Sequence, residues 1–154
     1  MVTLTADDGR GGSVSKPFTW TVTAQVLTAV ASESYDDSTF TLTYSGSASV
    51  PGMGETINRL DFVIDVDDPG NPNDGRQVVF RLISLSDTNP QVISDTGGTP
   101  FTRFTIGNDA TVTGAGGNVI IAIDQTNQFH SFGGKTLTLI AEDTSTNTDT
   151  VVLV

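Results

Sequence analysis

Cysteine is absent from the 154 residues, which excludes disulfides, a thiol nucleophile and thiolate metal sites. Histidine is nearly absent: with His130 alone and no cysteine, zinc chemistry is not expected. Seven basic residues stand against eighteen acids, giving a formal charge of −11. Arg10, Lys16, Arg59, Arg76, Arg81, Arg103 and Lys135 are scattered singly, so no basic patch serves a nucleic-acid backbone or an anionic membrane surface. No apolar run reaches the ~20 residues of a membrane-spanning helix, and Met1-Val2-Thr3 opens no signal-peptide pattern. Long Ala/Leu/Glu/Lys segments at helical spacing are missing, so little or no helix is expected.

Catalytic signatures are missing as well. No Gly-x-Ser-x-Gly turn occurs, and acids lie in almost every polar segment, so no glycosidase pair stands out. Gly114-Ala115-Gly116-Gly117 joins two strand patterns, which reads as a hairpin turn and not as a phosphate cradle. A non-enzyme is expected.

What is present is β-sheet patterning. Phe40, Leu42 and Tyr44 alternate with threonines, and Leu60, Phe62, Ile64 and Val66 run in phase; period two marks a strand with one buried face. Similar runs cover residues 2–6, 17–23, 77–85, 101–106, 110–113 and 119–123, with polar turns at 32–38, 46–55, 95–100 and 125–134. Roughly eight to ten short strands joined by Gly, Pro and Asp turns predict an all-β, antiparallel sandwich.

The two ends of the chain echo each other. Val2-Thr3-Leu4-Thr5-Ala6-Asp7-Asp8 reads like Leu137-Thr138-Leu139-Ile140-Ala141-Glu142-Asp143, and a second β-rich run follows each. A strand, an acidic turn and a return strand repeated at long range suggest tandem modules. Residues 25–154 then form the main module. Residues 1–24 are either the closing hairpin of a preceding repeat or extra strands packed on the main module, which would cover Phe18 and Trp20. Strand patterns abutting Met1 and Val154 fit a segment of a longer polypeptide.

Leu-Thr-Ala-Asp-Asp-Gly at 4–9 and Leu-Ile-Ala-Glu-Asp at 139–143 resemble the Ala-x-Asp element of cadherin-like and bacterial immunoglobulin-like repeats. Asp65-Val66-Asp67 resembles the Asp-x-Asp element of cadherin repeats. The resemblance implies an immunoglobulin/cadherin-like Greek-key sandwich from a large extracellular or cell-surface adhesin. It also implies calcium at module ends, with Asp8 and Asp143 in the Ala-x-Asp position and Asp65 and Asp67 as the Asp-x-Asp pair. The Asp-x-Asn-Asp-Asn linker of that family has no counterpart here, where residues 24–34 stand instead.

The residues themselves offer a calcium site. Asp65, Asp67, Asp68, Asn71, Asn73 and Asp74 bring many oxygens into one short segment with Gly70 and Gly75 for tight bends, and calcium takes six to eight oxygen ligands. A solvated turn capped by Asp and Asn is the alternative. Tyr35, Phe129 and Phe132 lie in polar segments and are candidates for stacking on a sugar ring, whereas Trp20 and Tyr44 fall in phase with core positions. Neighbouring repeats of the same polypeptide are the expected partners, with a glycan or surface protein as the ligand of the alternative reading.

Overall fold

The computed structural model describes residues 2–19, 21, 23–65, 77–96, 110–123 and 136–153. Eleven strands lie among them: β1 (Val2–Asp7), β2 (Ser13–Phe18), β3 (Ser32–Asp36), β4 (Thr41–Ser45), β5 (Ile57–Asp65), β6 (Gln77–Leu82), β7 (Gln91–Thr96), β8 (Ala110–Ala115), β9 (Asn118–Ile123), β10 (Leu137–Asp143) and β11 (Thr148–Leu153). The described residues contain no helix.

The strands form three antiparallel sheets. One is ordered β11-β10-β5-β6-β7, a second β3-β4-β9-β8, and the third is the β1-β2 hairpin. Alternation explains which side is buried. In β10, Leu137, Leu139, Ala141 and Asp143 are buried and the residues between them are partly exposed. Leu60, Phe62 and Ile64 of β5 and Phe80 and Leu82 of β6 join them, and Leu42, Tyr44, Val119 and Ile121 of the other large sheet complete a single core. An all-β architecture of sandwich type results. The interior position of Tyr44, together with the negative Glu33, pushes its phenol well above the ordinary range.

Gly116 and Gly117 take φ of 57° and 81° and link β8 to β9 through the Ala115–Asn118 pair. A two-residue hairpin with positive φ at both centres favours glycine, so Gly116–Gly117 is the turn, while Gly114 and Ala115 belong to β8. Gly114 is needed for a different reason, since a Cβ there would stand 2.3 Å from the Asp87 carbonyl oxygen.

Several strand boundaries differ from the sequence reading; β6, for one, ends at Leu82 and not at 85. The return strand of the first hairpin starts at Ser13 instead of 17, because the Asp8 carboxylate closes the turn early. Residues 32–36 form β3, where a turn was expected. The turn begins after it, organised by the Asp36 carboxylate, which accepts the Ser38 N–H and hydroxyl at 2.8 and 2.7 Å. Phe40 therefore sits at the end of that turn with φ of 53° and not inside a strand. Residues 91–96 form β7, although 95–100 reads as a turn. The expected strand at 101–106 lies outside the described residues.

Candidate functional site

The best-defined polar site is the turn between β10 and β11. Asp143 falls in the inward phase of β10 and is fully buried. Its Oδ1 accepts the Ser145 N–H at 3.0 Å, the Asn147 N–H at 3.0 Å and Asn147 Nδ2 at 3.1 Å; its Oδ2 accepts Asn147 Nδ2 at 3.0 Å. The Asn147 side chain is the largest cause holding this carboxyl below its ordinary pKa; burial opposes, and the N–H groups of Asn147, Ser145 and Gly52 add to the lowering. Thr144 ties the turn to the start of β5: its N–H donates to the Thr56 carbonyl at 3.0 Å, and its hydroxyl donates to Glu55. Asp149 reaches the other way, accepting the Ala29 N–H at 2.8 Å.

The first hairpin repeats this turn. Asp8 Oδ1 accepts the Arg10 N–H at 2.8 Å and the Gly12 N–H at 2.9 Å, the same i+2 and i+4 donors that Asp143 uses. The N–H of each aspartate donates to the carbonyl four residues on, Gly12 at 3.0 Å and Asn147 at 3.1 Å. The third residue after each has positive φ, 92° at Gly11 and 64° at Thr146. Backbone donors of Arg10, then Gly12, hold the Asp8 carboxyl below its usual value. Both aspartates thus organise Asx-type turns, and neither is joined by other acids: among the described residues no group of three or more His, Cys, Asp or Glu side chains is placed to hold a metal.

The other sequence-derived candidates scatter. Asp65 ends β5, its backbone opposite Gln77, and its side chain lies outside the described set, as do Asp67, Asp68 and Asp74. Phe129, Phe132 and His130 also lie outside it. Tyr35 sits on β3, an edge strand, paired with Leu42. Its partner faces the core, yet Tyr35 itself is 49% exposed.

One cluster had no counterpart in the sequence reading. On the outward side of β10, β5 and β6, Asp61 takes a two-pronged bond from Arg81, 2.7 Å at Nε and 2.7 Å at Nη2. Arg59 Nε stands 3.3 Å from the same carboxylate, and Arg59 Nη2 lies 2.7 Å from Glu142. The bond to Asp61 is the largest cause raising the Arg81 pKa. Part of the signal was present, since Asp61 and Arg81 interrupt apolar runs in outward phase; their direct opposition comes from the pairing of β5 with β6. The cluster fastens β10 and β6 to β5.

No family model, curated protein or solved structure matches this chain.

Proposed function

We propose that this chain is a non-enzymatic structural extender from an extracellular or cell-surface adhesin-type protein of a bacterium, built of tandem immunoglobulin/cadherin-like Greek-key sandwiches and stiffened by calcium. The observation that supports it is the duplicated hairpin. β1-β2 and β10-β11 have the same strand lengths in the aligned stretch, the same pairing from Val2–Phe18 and Leu137–Leu153 down to Asp7–Ser13 and Glu142–Thr148, and the same aspartate-closed turn, at a constant shift of 135 residues, the separation of Asp8 and Asp143. A module end that recurs in one polypeptide fits an array whose units repeat. Calcium would be held by the carboxylates of the 65–74 segment, where it would screen clustered charge and fix the neighbouring strands.

The test is a thermal melt of the chain in millimolar calcium and after chelation. A metal bound only by the folded state raises the melting temperature by mass action. A melting temperature indifferent to calcium and chelator removes the ion from this reading. The exposure of Tyr35 on an edge strand supports a second reading, a module that presents a glycan- or protein-binding surface; binding to a glycan panel that survives Tyr35→Ala would count against it.

A further inference from the structure

The first hairpin carries an apolar face that no other described strand covers. By its register, Val2, Leu4 and Ala6 share one side with their partners Phe18, Lys16 and Val14, and the opposite side is Thr3, Thr5, Asp7, Ser13, Ser15 and Pro17. Every residue of both strands is exposed, with Leu4 at 67% and Val14 at 69%. A lone two-stranded ribbon of this kind is marginal in water, so the face calls for a cover.

The same molecule shows a cover that fits. The equivalents of Val2, Leu4 and Ala6 are Leu137, Leu139 and Ala141, all fully buried. They are paired with Ile64, Phe62 and Leu60 of β5 and belong to the same core as the second sheet. The charge pattern matches too. Glu142 pairs across to Arg59, which it holds at 2.7 Å, and its equivalent in the first hairpin is Asp7, which has no cationic partner among the described residues. We propose that the β1-β2 hairpin seats on a second module of this chain's kind, in the slot that β10-β11 fills here, with β1 running antiparallel beside the partner's β5, Leu4 opposite Phe62 and Asp7 opposite Arg59. This inference rests on the repeat-module reading and names the surface on which the first hairpin seats. Within one copy the slot is occupied, and the resident hairpin has two ties that the first lacks: Gly9 stands in place of Thr144, and Val14 in place of Asp149. The incoming hairpin therefore enters a second copy only where the resident one is absent or displaced.

The experiment displaces it in the full-length chain. Leu139→Asp places a carboxylate at a fully buried core site, which expels β10. The expected result is a chain that still melts cooperatively but sediments as a dimer or larger assembly, because each copy takes the hairpin of another. Adding Leu4→Asp abolishes both the melt and the assembly. The chain has no cysteine, so an added Thr3→Cys/Val63→Cys pair reports the register: Thr3 is the equivalent of Thr138, which opposes Val63. Disulfide-linked dimers form with that pair, and not with Thr5→Cys/Val63→Cys, which is two residues out of step. An L139D chain that is unfolded whether or not Leu4 is changed overturns the proposal, and so does one that folds as a monomer. Neither result touches the calcium-dependent melt of the unsubstituted chain, on which the broader reading is tested.

Discussion

Hairpins β1-β2 and β10-β11 have one geometry and two fates. Their turns are closed by the same aspartate bonds and their strands are paired in the same register. Yet the inward side of β10 is fully buried while β1 is exposed from end to end. Local sequence is enough to set the turn and the alternation, since an aspartate that captures two nearby N–H groups needs no tertiary help. Burial is set elsewhere, by the presence of β5 on the open edge and of a second sheet across the face. The comparison therefore separates what the hairpin supplies from what the sandwich supplies.

The largest expected effect breaks the pair at its matching leucines. Leu139→Ala removes a fully buried side chain and should cost about 2–5 kcal/mol in urea unfolding. Leu4→Ala removes the same atoms from a site 67% exposed and should cost less than about 0.5 kcal/mol. Equal losses at the two sites would mean that the first hairpin is covered in the free chain and that the two hairpins do not differ in burial.

How much of this was legible depends on burial in the same way. Interior strands announced themselves: Leu60, Phe62 and Ile64 or Leu137, Leu139 and Ala141 alternate because one side of each meets the core. β3 did not, because an edge strand whose residues are all exposed has no hydrophobic side to betray it, and Ser32-Glu33-Ser34-Tyr35-Asp36 reads as a polar turn. Asp143 was legible as the end of an acidic strand, but not as a buried group. Its phase with Ala141 pointed inward, whereas its satisfaction by Asn147 depends on a turn shape that sequence spacing does not state. The Arg81–Asp61–Arg59–Glu142 cluster required knowing that β10, β5 and β6 are neighbours, which is long-range information.

The second contrast is in acid. Bonds from Asn147 and Ser145 hold the Asp143 carboxyl below its ordinary value of 3.8. A depressed folded-state pKa contributes stability that is fully present above 3.8 and is lost as pH falls from there through the lower folded value. Unfolding free energy should thus decline on acidification below 3.8. Asp143→Asn should be less stable than the parent at neutral pH and flatter across that acid window. Asp8 has a lowered pKa as well, but its turn sits outside the core, so Asp8→Asn should leave the global curve unchanged. An Asp143→Asn chain with the parent's full acid slope would assign the loss to other carboxylates.

The smallest effect concerns the third turn residue. Thr146 holds φ of 64°, a left-handed conformation that costs a β-branched residue on the order of 1–2 kcal/mol. Gly11 holds φ of 92° at the matching place with the residue type that adopts it freely. Thr146→Gly relieves the strain but gives the unfolded chain more freedom, worth about 0.4–1 kcal/mol. The net gain should be about 0.5–1 kcal/mol, a rise of roughly 1–4 °C in melting temperature for a domain of this size. Gly11→Thr carries the reverse strain into a turn with open space around it, since a Cβ there meets nothing within 4 Å. Because that turn lies outside the core, its cost should surface in faster amide exchange at Gly12 and leave the melting temperature where it was. A drop in melting temperature from Gly11→Thr would show that the two hairpins share one cooperative unit, and the difference between them would then be one of exposure alone.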